Sequence, residues 1–417
     1  MNIAIVGAGI VGITTAYALA AEGHQVTVFE RHSTAAAETS FANAGVVAPG
    51  YVTPWAAPGM PGKVARYLLR RHAPIKIGLP LRPHELAWMW RWLKACKLEV
   101  YLANRARMQR LAFYSRDQLH KLTHELGLAY DRSDGYTVLL RSDQDAALVE
   151  PGLQVLRDAG VRFERLDAQA TRRVEPALSP DMHFHGAIHL PDDEVGNCRQ
   201  FSMLLKSEAQ RLGVVFLFNT AVDAIQPGPL VQLRLAGSGE MHAFDALVCC
   251  AGVASSRLLR PLGVALPMAA VHGYSITAAI REPLNAPRSA VMDERYKVAI
   301  SHLGQRVRVA GSAELGGPPG RQREASIQTL YKVLHDWFPG AAQLASGVQA
   351  WKGARPMLPD GPPLLGASGV PGVWLNVGHG SSGWALSCGS ARVLADQIAG
   401  RTPDIDSEGL GIARLRS

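Results

Sequence analysis

The stretch Met1-Asn2-Ile3-Ala4-Ile5-Val6-Gly7-Ala8-Gly9-Ile10-Val11-Gly12 decides how the chain begins to fold. The apolar run from Ile3 to Val6 reads as a strand and feeds directly into a G-x-G-x-x-G spacing. Each glycine answers a steric need: Gly7 permits the tight turn, Gly9 leaves the backbone open to a pyrophosphate, and Gly12 lets the next helix lie close to the strand. Ala8, Ile10 and Val11 complete the turn. The helix that follows, from about Val11 to Ala21, would point its N-terminal amides at the phosphates. A second strand, QVTVFE, ends at Glu30, whose carboxylate suits the hydroxyls of an adenosine ribose. Strand, turn, helix, strand and acid in this order predict a dinucleotide site. Arg31 would suit a ribose 2′-phosphate, but Glu30 repels one, so NADP is disfavoured.

The totals bound the rest. At 417 residues the chain exceeds one ordinary core, and 47% hydrophobic against 19% charged residues describe a folded, slightly apolar protein. No residue from Ile3 to Ala21 is charged, yet the crowded glycines divide that span into strand, turn and helix rather than a membrane segment or signal peptide. Cys96, Cys198, Cys249, Cys250 and Cys388 are scattered and odd in number. They predict a reducing, cytoplasmic setting without disulfides, with Cys249 and Cys250 packed as small hydrophobes. His183, His185 and His189 alternate along a strand with no ligand-like acid or thiol nearby, so no metal is expected.

Whether the dinucleotide is a nicotinamide or a flavin turns on the far end of the chain. After Glu30 comes the loop AAAETSFANAGVVAPGYVTPWAAPG instead of a second half of one parallel sheet. Near the C-terminus, VWLNVGHGSSGWALSCGSARVLADQIAG reads as strand, glycine-rich turn and helix. A second helix N-terminus would stabilise the negative charge that a reduced isoalloxazine ring gathers at its pyrimidine end. An elongated FAD uses both turns, whereas a nicotinamide leaves the second unexplained.

The stretches ETSFANAGVVAPGYVTPWAAPG, PDDEVGNC, HGYSI, MDERYKVAIS, ARPMLPDGPPLLG and WLNVGHGSSGW resemble the D-amino acid oxidase superfamily of flavoproteins. Within it, the chain is similar over essentially its whole length to the bacterial FAD-dependent D-amino acid dehydrogenases. The resemblance implies non-covalent FAD, since no cysteine or histidine stands in a flavin-attachment motif. It places Thr39, Ser40, Asn43, Ala44 and Gly45 along the pyrophosphate and flavin. Val222 and the pair Ala251-Gly252 would lie at the ADP half. Gly378, His379, Gly380, Ser381, Ser382 and Gly383 would cradle the ring.

Amino acid oxidation on a flavin needs positioning more than acid–base machinery. Arg355, in WKGARPMLPDG, offers the planar two-point grip that orients a carboxylate, although its residues alone also allow a structural ion pair with Asp360. The resemblance assigns Arg355 the carboxylate through its G-x-R-P motif. Tyr274, Tyr51 and Tyr296 are candidates to add a phenol or cover the pocket, and His379 is a lesser candidate for a base.

The expected fold is α/β, a Rossmann-like FAD-binding domain interleaved with a substrate domain on a mixed or antiparallel sheet. The cofactor domain would take residues 1–45, 195–262 and 350–417, and the substrate domain residues 46–194 and 263–349. The resemblance implies oxidative deamination of D-amino acids to 2-oxo acids, with electrons passed to a quinone or another respiratory acceptor. A D-hydroxyproline, D-proline or glycine/sarcosine-type dehydrogenase, or a flavin-binding partner protein without turnover, would share these features. Residues 60–112 carry twelve Lys or Arg against two acids in a chain of net charge +8, so the remainder is slightly acidic. Their helix HELAWMWRWLKACKLEV could place Leu86, Trp88, Met89, Trp92 and Leu93 on one side and lie on the core or on anionic lipid at the inner membrane's cytoplasmic face. Nucleic acid is not an expected partner, because no recognition module accompanies the charge.

Overall fold

The computed structural model describes residues 1–67, 72–318 and 320–415. Two sheets organise them. The first has six strands in the order Leu364–Ala367, Val373–Val377, Ala246–Cys249, Asn2–Val6, Gln25–Phe29 and Val215–Leu217. All neighbours are parallel except the pair formed by Leu364–Ala367 and Val373–Val377. Parallel strands covered on both faces read as continuous apolar runs, which is why NIAIV and ALVC lack alternation.

One face of this sheet is covered by helices Ile10–Ala21, Cys198–Arg211 and Gly383–Ile398. Behind them lies the long helix Leu98–Glu125. It approaches Gly383–Ile398 so closely that a Cβ on Gly389 would come within 2.8 Å of the Ser115 backbone and Cβ. The opposite face packs against a three-stranded antiparallel ribbon, Val222–Gln226, Val231–Leu235 and Met241–Phe244.

The second sheet has ten strands and is largely antiparallel. Its main path runs Gln349–Met357, Ala269–Ala279, Arg306–Gly316, Val298–Leu303, Ala290–Asp293, Arg132–Leu140, Gly186–Gly196 and Val46–Val47. Two contacts are parallel: Ala290–Asp293 on Arg132–Leu140, and the side strand Ile75–Gly78 on Arg306–Gly316. Helix Glu324–Trp337 covers one face with the buried rings of Trp337 and Phe338. The fold is thus α/β, with a chain that passes repeatedly between a parallel and a mixed sheet.

Strand partners refine the expected segments. Val46 pairs with Val195 and Val47 with Glu194, so the chain enters and leaves the larger sheet side by side. The strand Gln349–Met357 straddles the expected crossing at 350 and is hydrogen-bonded along its length to Ala269–Ala279. Arg355 therefore stands on the larger sheet, and the crossing follows Met357.

The tryptophan-rich helix, Pro83–Ala95, also departs from expectation. Trp88 is buried and donates its indole N–H to the Met357 carbonyl at 2.8 Å, with Met89 and Trp92 beside it. That anchor fixes the helix's rotation. Leu86 and Leu93 face solvent at 53% and 43% exposure instead of joining the inner side, next to Trp90 at 61%.

Gly12 sets the closest approach in the fold. A Cβ there would sit 1.9 Å from the Gly7 carbonyl oxygen. We expect Gly12→Ala to cost roughly 3 kcal/mol or more, at the upper end of overpacking penalties. It should purify with little flavin. Urea unfolding and absorbance at the flavin band measure both.

Candidate active site

Four segments converge where the two sheets meet. The first is the turn after Asn2–Val6. Gly7 has φ +106° and packs so tightly that a Cβ would come within 2.6 Å of the Cys250 carbonyl oxygen. Gly9 keeps its outer side open. The Ala8 N–H donates to Glu30 Oε2 at 2.8 Å and the His32 N–H to Oε1 at 2.9 Å. Glu30 is thereby held at the strand end, with lone pairs left toward the cavity it lines. Arg31 and His32 both pair with Glu38, a tether that no sequence motif announces.

The second segment is the loop from Thr39 to Gly45, whose last four carbonyls are claimed from behind. Ser275 Oγ donates to Ala42 O at 2.8 Å, Arg308 Nη1 to Asn43 O at 3.1 Å and Ser301 Oγ to Ala44 O at 2.7 Å. Trp384 Nε1 donates to Gly45 O at 3.1 Å. Thr39 Oγ1 reaches Ala354 O at 2.7 Å, and Ser40 Oγ accepts the Ile10 N–H at 3.0 Å. Arg308 is buried with only neutral partners, Asn43 O and Thr277 Oγ1, and desolvation lowers its pKa to about 10.

The third segment is the turn Gly378 to Gly383, with Gly378 at φ +81° and Gly380 at φ +57° before helix Gly383–Ile398. His379 is buried, its Nε2 lies 3.0 Å from Ser390 Oγ, and desolvation lowers its pKa to about 3. A neutral ring committed to the helix is no general base, which removes that candidate.

The fourth is the strand Gln349–Met357. Arg355 Nη1 donates to the Ser312 carbonyl at 2.9 Å, and the guanidinium lies 5.5 Å from the centre of the Trp55 ring. Ser312 is the bulge residue, at φ +60°, where the register against Ala269–Ala279 shifts, and the bulge supplies that carbonyl. Arg355 has no carboxylate partner among the described residues. Asp360, the alternative considered from the sequence, pairs with Arg414 at 2.7 Å. Burial without a counter-charge lowers the Arg355 pKa to about 10, so the group is still a cation at neutral pH.

Two adjoining cavities meet at Thr39, Asn43, Ser381 and Arg355. The first runs along Gly7, Gly9, Ile10, Val11, Glu30, Arg31 and Ser40. It continues past Val222, Ala251 and Gly252 to Gly378, His379, Gly380 and Gly383. Ala8, Gly12 and Gly45, also expected at the cofactor, line neither of these cavities: Gly12 packs on the Gly7 carbonyl and Gly45 on Gly196. The second cavity takes Ala44 and Ser382, with Ala299, Ala310, Gly273 and Gly353 as a floor of small residues and Tyr51, Tyr136 and Met292 at its far wall. Tyr51 meets Tyr136 edge to face at 5.7 Å, and desolvation raises both phenols' pKa values, keeping them protonated.

The other tyrosines do not join. Tyr274 borders the second cavity, but alternation along the strand turns its ring to the opposite face from Arg355. There it is 2% exposed and its phenol donates to Glu314. Tyr296 lies 4.9 Å from the Arg141 guanidinium, in the core beneath helix Glu324–Trp337. Among the described residues no cluster suits a metal ion.

Residues 2–397 match the family model described as FAD dependent oxidoreductase. The chain belongs to the FAD-dependent oxidoreductases. D-amino acid dehydrogenases of Bradyrhizobium diazoefficiens and Methylobacterium radiotolerans are each 44% identical to it over 417 residues, covering 99% of both chains. Glycine oxidase from Geobacillus kaustophilus superposes with a TM-score of 0.75 at 21% identity, covering 99% of this chain and 98% of that one. Iminodiacetate oxidase from Chelativorans sp. BNC1 gives 0.73 at 20% identity, covering 98% of each.

FAD fits the residues present in this oxidoreductase. The first cavity is long, and glycine turns stand at both of its ends. It carries Glu30 at one end and helix N-termini where negative charge would lie. Ser275, Ser301, Arg308 and Trp384 went unnoticed in the sequence. Ser275 lay inside the quoted HGYSI and Trp384 inside WLNVGHGSSGW, but nothing in either spelling says what its side chain reaches.

Ser275→Ala and Ser301→Ala should each destabilise the apoprotein by about 1 kcal/mol, one hydrogen bond apiece, and quicken FAD loss. Urea midpoints and the recovery of free-flavin fluorescence on dilution test this.

Proposed function

We propose that this oxidoreductase oxidises D-amino acids to 2-oxo acids and ammonia, holding FAD without a covalent bond. The observation that carries the reading is Arg355, a cation with no acid partner among the described residues, at the junction of the two cavities. An uncompensated buried charge is costly unless a ligand neutralises it, and an amino acid carboxylate does so with a two-point grip. The 44% identical relatives named D-amino acid dehydrogenase support the same substrate class.

FAD, when bound, supplies the two-electron acceptor for the substrate's α-hydrogen. The chain's own part is positional. Arg355 fixes the carboxylate, the glycine and alanine floor admits the α-carbon, and Tyr51, Tyr136 and Met292 enclose the side chain and exclude water. The substrate amine must lose its proton, and among the described residues that line the second cavity there is no histidine or carboxylate to take it, so the proton goes to solvent before the substrate is enclosed. The imino acid product then hydrolyses to the 2-oxo acid and ammonia.

The electrons would pass to a quinone or another respiratory acceptor, and the outer face of helix Pro83–Ala95 supports a place beside a membrane. Leu86, Trp90 and Leu93 form an exposed stripe with Arg91, Lys94 and Lys97 near it in sequence, and Leu98 and Leu102 of the next helix are exposed as well. Among the described residues no helix is long and apolar enough to cross a membrane. The stripe suits shallow peripheral contact with anionic lipid.

Under anaerobic conditions the flavin band should bleach with D-amino acids and stay unchanged with their L-enantiomers. Arg355→Ala should keep FAD and lose on the order of a hundredfold or more in kcat/KM, as charge-assisted hydrogen bonds vanish. A holoprotein that no D-amino acid bleaches would refute the reading. Vesicles containing phosphatidylglycerol should carry the protein upward in a flotation gradient at low salt and release it as salt rises. Leu86→Ser/Trp90→Ser/Leu93→Ser should stay at the bottom with its turnover intact.

A further inference from the structure

Gly273 and Gly353 face each other directly across the pair of strands Ala269–Ala279 and Gln349–Met357. Directly opposed residues place their Cβ positions about 5 Å apart on one face. Both positions are occupied by nitrogen donors instead. A Cβ on Gly273 would lie 2.3 Å from Arg355 Nη2, and one on Gly353 would lie 3.0 Å from Trp351 Nε1. Arg355 and Trp351 each stand two residues from Gly353 on the same face, one to either side, and both lean over the paired glycines.

The Trp351 Nε1–H is buried and has no acceptor within hydrogen-bonding reach among the described residues. A buried N–H left unpaired costs about 1–3 kcal/mol, so it is kept only where something outside the chain satisfies it. The ring itself is fixed by Phe41, 4.8 Å away between centres, and Phe41 is covered in turn by Arg199. Trp351, Gly273, Gly353 and Arg355 all line the second cavity. Two donors, one charged and one neutral, thus converge on one patch of strand backbone too bare to obstruct them.

We infer that Trp351 is the second carboxylate donor of the site: its indole N–H binds the substrate carboxylate beside the Arg355 guanidinium. This rests on the substrate class proposed above and extends it. Arg355 supplies the charge, and Trp351 supplies a direction that fixes rotation about the bond between the carboxylate and the α-carbon. Gly273 and Gly353 are required because any side chain at either would displace one donor.

Trp351→Phe keeps the ring against Phe41 and removes only the N–H. Pyruvate, a carboxylate that cannot reduce flavin, should perturb the holoprotein's flavin spectrum with a Kd about tenfold weaker in the variant. Anaerobic reduction by D-alanine should show a similar rise in the half-saturating concentration with a limiting rate changed far less. D-alaninamide, which lacks the carboxylate, should lose nothing, and Trp351→His, which restores a ring N–H, should recover part of the pyruvate affinity. An unchanged Kd for pyruvate in Trp351→Phe would overturn the assignment. So would an equal loss for D-alanine and D-alaninamide, since that marks a structural role. If wild-type protein binds pyruvate yet no D-amino acid reduces it, the substrate reading fails, while the pyruvate titration still decides the role of Trp351.

Discussion

Four consecutive carbonyls, Ala42 to Gly45, are the hinge on which the molecule's architecture rests. Each accepts a hydrogen bond from a side chain on another element: Ser275, Arg308, Ser301 and Trp384 in turn. Three of these donors come from the larger sheet and the fourth from the helix behind the second glycine turn. A loop has no ladder of its own to satisfy its backbone. Here the surrounding elements take that part, and they use up the loop's acceptors on the side away from the cavity. What remains toward the cavity is a set of small side chains on a fixed backbone, joining the two sheets at the place where the two cavities meet.

The same sheet face carries two guanidiniums without acid partners among the described residues, and they do different work. Arg308 spends its hydrogen bonds on Asn43 O and Thr277 Oγ1, so its charge is fixed behind the loop. Arg355 binds one protein carbonyl and leaves its other end over Gly273. Desolvation lowers both pKa values to about 10, so each remains charged at neutral pH. Both cations favour anionic occupants of the neighbouring cavities, one through the wall and one by contact. The floor between them is glycine and alanine because bulk there would take the ligand's place.

Much of this was legible in the sequence, and the reasons are local. Gly7, Gly9 and Gly12 announce the first turn because each satisfies a backbone requirement that only glycine meets. Gly378 and Gly380 announce the second for the same reason. Arg355 was found because its chemistry is specific and its neighbours spell a motif. Tyr274 misled because a tyrosine beside glycine looks the same whether its phenol faces a cavity or a buried Glu314. Only strand alternation and register separate those cases, and a bulge at Ser312 intervenes. The outward turn of Leu86 and Leu93 was hidden likewise. The helical period shows which residues share a face, while a single indole bond from Trp88 to Met357 O decides which face turns inward. Contributions made by backbone carbonyls, such as those of residues 42 to 45, leave no trace in side-chain spelling.

The strand order has a consequence for how the molecule is made. Ala246–Cys249 lies in the six-stranded sheet between Asn2–Val6 and Val373–Val377. A ribosome therefore releases the first of these three neighbours hundreds of residues before the last. Until Val373–Val377 emerges, Ala246–Cys249 has an unpaired edge, and the second glycine turn does not exist. Pairings this remote in sequence form slowly and expose open strand edges meanwhile. The nascent chain must wait for almost its entire length before the cradle closes, so the cofactor's arrival falls at the end of synthesis.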